Sequence, residues 1–153
     1  MCGKMRKAVE SWPVLRLIND VTLGSKIHPK KAKNAIKKYG DRSLQPDDVL
    51  LIIDNTIFRS AKQGMFLTED TLYAFSEYSG KFSIKLAEIK TLEPKLERPL
   101  KVPLIGMTVN DEYFISLPGL NEMVEQGEDS VPAILLLAVF FSENLSCEII
   151  GGD

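Results

Sequence analysis

The spacing of apolar positions changes period twice along this chain. Up to residue 42 it is helical, with apolar residues recurring every three or four positions. In SWPVLRLINDVTLG, Val14, Leu17, Ile18 and Val21 fall on one side. Ser11 stands where an N-cap would, Pro13 near the first turn and Gly24 at the C′ position. A second helix is predicted over HPKKAKNAIKKYG. His28 leads into it, Pro29 suits its first turn and Gly40 closes it. Ala32, Ala35, Ile36 and Tyr39 form a narrow apolar stripe, and Lys30, Lys31, Lys33, Lys37 and Lys38 cover the remaining face. One side is built to pack and the other is strongly cationic.

SLQPDD, at 43–48, ends the helical period. VLLIID is a continuous apolar run suited to a buried strand, and its Asp54 before Asn55 reads as turn chemistry. GMFLT (64–68) and TLYAFS (71–76) flank a tight Glu69–Asp70 turn. GKFSIKL alternates, with Phe82, Ile84 and Leu86 on one face and Lys81, Ser83 and Lys85 on the other. Ile89 and Leu92 continue as a short strand up to Pro94. LKVPLIGMTVNDEYFISL reads as a hairpin joined by Asn110–Asp111, residues that tolerate positive φ. Pro103 places its strand at a sheet edge or delays its start. The count is about seven antiparallel strands between 48 and 117, with no helix of useful length among them.

The last part returns to helical signals. LPGLNEMVEQGEDS reads as a connector with at most one helical turn. A C-terminal helix is predicted over 131–144, with Ser130 as N-cap, Glu128 and Asp129 near the positive end of its dipole and Pro132 in its first turn. It is apolar on nearly every side, so it needs cover on more than one face. A strand layer supplies one cover, and the N-terminal helices or a second subunit the other.

LLIIDNTIFRSAKQGMFLTEDTLYAF followed by GKFSIKLAEIKTLE resembles the bacterial pleckstrin-homology-like (PH-like) domains. The resemblance rests on a first strand and loop, then Gly64, Leu67 and Thr68 before a third strand holding Leu72 and Tyr73, and later Ile89. KKAKNAIKKYG resembles the helix that precedes such domains. The resemblance covers about 48–144, and its motifs describe turns rather than chemistry. It implies an α+β fold: a PH-like seven-stranded antiparallel barrel or sandwich capped by a C-terminal helix and preceded by N-terminal helices. The division expected is an N-terminal helical segment at 1–45, the PH-like domain at 46–146 and a tail at 147–153. In lipid-binding eukaryotic relatives the first inter-strand loop carries a dense basic motif. Here it holds Arg59 and Lys62 without alternating cations, so solvated loop charge is the expectation.

Length and composition fit one globular domain with a helical appendage: 153 residues, 44% hydrophobic and 26% charged. The longest apolar run, VPAILLLAVFF, falls short of the roughly 20 residues that a membrane span needs. No signal-peptide or myristoylation pattern opens the chain. Cys2 and Cys147 lie at opposite ends and form no disulfide or zinc framework, which points to a reducing, cytoplasmic setting. The net charge of −2 conceals a division. Residues 1–42 hold 11 Lys+Arg against 3 Asp+Glu, and residues 43–153 hold 8 against 18. Such a split bears on partners and self-association.

The chemistry of catalysis finds no foothold. His28 is the single histidine, placed at a helix start rather than beside a nucleophile. EQGED lacks the alternating oxygen spacing of a calcium loop, and GSKIHPKK lacks the frame of a phosphate loop. The expectation is a non-enzymatic interaction or assembly module with no cofactor and no metal. Its candidate contacts are Lys30, Lys31, Lys33, Lys37, Lys38, Arg59 and Lys62, together with an exposed sheet edge. A protein partner or self-association is the first expectation. The alternative is a peripheral anion binder, for an anionic membrane surface or nucleic acid, through the Lys-rich helix. Nucleic acid is disfavoured because only Tyr39 lies among the cations.

Overall fold

A computed structural model describes residues 4–12, 15, 18, 21–54, 62–76, 80–97, 104–117, 120, 123–126, 129–145 and 147–150. The run from Val49 becomes β2 (Leu51–Asp54), inside the larger sheet. Its neighbours are β1 (Val21–Leu23) and β3 (Gly64–Leu67), and β4 (Thr71–Ser76) and β5 (Gly80–Lys85) follow, all antiparallel. Every residue of β2 and β3 is buried because both faces of this sheet are covered. On one face α2 (Pro29–Tyr39) lays Ala32, Ala35, Ile36 and Tyr39 on Ile52 and Phe66. On the other, Leu51, Ile53, Met65, Leu67 and Leu72 enter the main core.

The second sheet holds β6 (Thr91–Glu97), β7 (Leu104–Val109) and β8 (Tyr113–Ser116), paired antiparallel. A two-residue strand, β11 (Glu148–Ile149), joins the outer side of β6 in parallel. β9 (Met123–Gln126) and β10 (Asp129–Pro132) form a separate hairpin. α3 (Ala133–Asn144) lies against β6, β7, β10 and β11. α1 (Lys4–Glu10) adds Met5 and Val9 to the same core, and the Trp12 ring meets Phe140 edge-on at 5.5 Å. The all-round apolar character of α3 is thus answered within the chain: Ile134, Leu137, Ala138, Phe140 and Phe141 are each at most 1% exposed.

The described residues form an α+β fold with three α-helices and mostly antiparallel sheets. Among the described residues seven strands, β2 to β8, fall between 51 and 116, with only a 3-10 turn at Leu86–Glu88 between them. They do not close into one barrel. β5 and β8 each end their sheet, and Phe82 stacks on Tyr113 across the gap at 4.6 Å. Pairing and packing also run across 45–46 and 146–147. β1 is paired to β2, β11 to β6, and one core runs from Met5 to Cys147.

Several expectations are corrected. The first described helix is α1, which precedes the one expected after Ser11; Pro13, Val14 and Leu17 of that expected helix lie outside the described residues. Ser11 ends α1, its N–H donating to the Lys7 carbonyl at 2.9 Å and its hydroxyl to that of Ala8 at 3.0 Å. Val21–Leu23, two β-favouring residues and a leucine, is drawn into the sheet instead, because β2 offers an open edge. Gly24 is therefore no C′ residue; with φ +48° it opens a 3-10 turn. Pro94 lies inside β6 rather than ending it. β11 pairs only with Thr91 and Leu92, so the missing N–H of Pro94 falls past the end of that ladder and costs no bond. The 118–130 connector contains the β9–β10 hairpin, and Asp129 and Ser130 belong to β10, so α3 starts at Ala133 with no side-chain cap. Pro103 lies outside the described residues; β7 starts at Leu104 and is an inner strand.

Other turns follow the residue chemistry. Asn110 and Asp111 take φ of 54° and 61° between β7 and β8. The Asn110 side chain also ties this turn to the start of β6, with Oδ1 accepting from the N–H groups of Lys90 and Thr91 and Nδ2 donating to the Glu88 carbonyl. Glu69, in the β3–β4 turn, accepts from the N–H groups of Met5 and Arg6 at 2.6 and 3.3 Å, and so caps α1 from across the fold.

Candidate functional site

The cationic helix keeps its predicted orientation. Its apolar stripe faces the sheet, while Lys30, Lys33, Lys37 and Lys38 are exposed. His28 serves as N-cap, its Nδ1 accepting from the Lys30 N–H at 3.1 Å. At the other end the Gly40 backbone is extended, and its N–H donates to the Ile36 carbonyl at 2.9 Å. Glycine is needed there for space: a Cβ would lie 2.7 Å from Phe66 Cζ. The close approach aims the chain down beside α2, so that Arg42 joins Lys33 and Lys37 around a groove of about 450 Å³ floored by Ile36, Leu44 and Pro46.

The lysines divide by role. Lys30, Lys33 and Lys37, at spacings of three and four, share a face and have no carboxylate partner among the described residues. Lys38 Nζ lies 5.3 Å from the centre of the Phe75 ring, a cation–π distance. Lys31 differs from them: its Nζ sits 3.5 Å from the buried Asp54 carboxylate, an ion pair within the fold. Asp54 ends β2 as expected, and it is buried there. Tyr39 packs on Phe66 and Phe75, and its buried hydroxyl has no hydrogen-bond partner among the described residues. Burial, then the nearby Asp54 charge, pushes its ionisation far above the ordinary tyrosine range. Arg59 lies outside the described residues, and Lys62 is exposed at the approach to β3.

A second concave surface, about 580 Å³, lies between the end of α2 and the outer strand β5. Tyr73, Thr71 and Asp41 line it beside Lys81, Ser83 and Lys85. Asp41 accepts from the Ser43 N–H and hydroxyl, which hold its carboxyl below the usual range. Sequence reasoning missed this surface because the two strips that form it are about 40 residues apart. The signal available was the charged face of the GKFSIKL alternation. No group of three or more His, Cys, Asp or Glu among the described residues could hold a metal ion. No helix among them is long and apolar enough to cross a membrane. Compared with known protein families, curated proteins and solved structures, the chain matches none.

Proposed function

We propose that this chain is a non-enzymatic, cytoplasmic interaction module with a PH-like fold, which docks an acidic protein surface on the Lys30, Lys33 and Lys37 face of α2. The PH-like reading draws support from the division of seven strands into four, β2 to β5, and three, β6 to β8, followed by an apolar helix over the core. The docking reading rests on one observation: three lysines and Arg42 stand together in solvent without carboxylate partners among the described residues. The apolar residues of α2 are all turned to the sheet and Tyr39 is buried, which leaves this face nothing to insert between lipids or stack on bases. A rim of cations governs encounter and partner choice.

The chain carries exposed acids of its own, among them Asp111, Glu112, Glu125, Glu143 and Glu148. Self-association is therefore the first case to test. Light scattering between roughly 0.02 M and 0.5 M salt spans strong to nearly complete screening. Mass above the monomer at low salt, lost at high salt and in the Lys33→Glu, Lys37→Glu variant, supports docking between copies. A monomer at every salt turns the test to a soluble polyglutamate probe and, as competitors, anionic vesicles and duplex DNA. Preference for vesicles or DNA over polyglutamate rejects the protein-docking reading.

A further inference from the structure

Apart from the tail strand β11, five strands end a sheet with a side free of any strand partner among the described residues: β1, β5, β8, β9 and β10. β5 is the longest at six residues, against three and four. It contains no proline and pairs in unbroken register with β4, so its outer side presents a straight row of main-chain donors and acceptors. Its side chains alternate. Residues 81–85 all border the groove below α2, but the register sets Lys81, Ser83 and Lys85 on the face of Tyr73 and the half-buried Phe82 and Ile84 on the face of Leu72 and Ala74. Tyr113 extends that second face: it is 43% exposed and stacked on Phe82.

We propose that the edge of β5 is a strand-accepting site for an extended segment of another protein, of pattern acid–apolar–any–apolar–acid. Each element of the pattern answers a residue in place. An added strand sets its residues opposite those of β5, alternating between faces. Two positions four apart then face Lys81 and Lys85, where opposite charge is favoured. The two between them cover Phe82, Ile84 and the Tyr113 ring, where apolar residues are favoured. Main-chain bonds supply the attachment and the side-chain pattern the selection, as in other strand additions. The two lysines also repel basic strands, so the edge is selective rather than open to any sheet. Lys85 is already near Asp70, 3.6 Å away, but both side chains are largely exposed and the pair is screened by water. Lys81 has no carboxylate partner among the described residues. This site is distinct from the α2 face and shares none of its cations.

The test uses the full chain, the peptide Thr-Glu-Val-Thr-Val-Glu-Thr and a control with both Glu replaced by Lys. Titration followed by amide hydrogen exchange reads both affinity and place. The expected result is slower exchange of β5 amides with the acidic peptide, which binds about ten-fold tighter than the control at low salt. Lys81→Glu is expected to shift the preference toward the Lys peptide while leaving the unfolding midpoint unchanged. The Lys33→Glu, Lys37→Glu variant is expected to bind the acidic peptide as the parent does. Absence of binding overturns the proposal. So does protection of α2 amides instead of β5 amides, or loss of binding in the α2 variant, either of which assigns the peptide to the docking face.

Discussion

Two glycines show how space and backbone conformation separate at the residue scale. Gly106 sits in β7 opposite Ser116, and a Cβ there would collide with the Ile115 carbonyl and the Phe114 ring. The carbonyl cannot withdraw, since it is backbone of the paired strand. Gly106→Ala is expected to cost about 3 kcal/mol, read as a lower urea midpoint. Gly80 has φ +78° with open space around its Cβ position, so Gly80→Ala meets only the backbone penalty, about 1 kcal/mol. Equal losses at the two sites would contradict the β7–β8 register. The Tyr39 hydroxyl gives a pH signature. Its folded ionisation is raised, so above the ordinary tyrosine pKa near 10 the unfolded chain loses a proton that the fold keeps. Stability present below that pH is therefore lost as pH rises further. Tyr39→Phe is expected to flatten the alkaline fall and to leave neutral stability equal or higher, since it removes a buried hydroxyl without a partner among the described residues. Denaturant melts from neutral pH upward check both.

At the scale of elements, α1 depends on a residue distant in sequence. Seven residues are too few for a helix to hold itself in water, so its packing and its cap decide whether it forms. Glu69 provides that cap, and Glu69→Ala is expected to destabilise by about 1 kcal/mol, with faster amide exchange confined to α1. A uniform change in exchange would place the effect in the β3–β4 turn instead. The same example marks the limit of what was legible in the sequence. Periods of 2 and 3.6, and the turn residues at 69–70 and 110–111, were enough to place α2, α3 and β2 to β8 within a few residues. They could not place α1 or β1, because those elements exist through distant partners: a carboxylate 64 residues away and the open edge of β2. The β9–β10 hairpin is local and was missed because its strands are only four residues each. The lysine face was visible as a pattern, but not the loss of Lys31 to Asp54 or the gain of Arg42, which depend on how α2 sits on the sheet. The β5 groove was invisible for the same reason.

For the whole molecule, charge placement works against the monomer. α2 opens with no acid in its first turn and with Lys30 and Lys31 there instead, at the end where the helix dipole disfavours cations. Lys30, Lys33 and Lys37 repel one another at spacings of three and four. No carboxylate among the described residues pairs with these three lysines, and only Lys37, in the last turn, gains from the dipole, so salt should act in opposite directions on two properties. Screening relieves the repulsion and raises the unfolding midpoint of the monomer, while it weakens docking of any acidic partner. Lys30→Glu separates the two at one position. It places an acid at the favourable end of the dipole and three residues before Lys33, and it leaves the His28 cap intact because that bond uses the Lys30 main chain. The expected outcome is a gain of about 0.5–1 kcal/mol in stability at low salt, together with weaker polyglutamate or self-association binding. A variant that loses both would mean that the Lys30 side chain holds the fold through a contact of its own. A variant that gains stability and binds unchanged would remove Lys30 from the docking face, leaving Lys33, Lys37 and Arg42 to carry it.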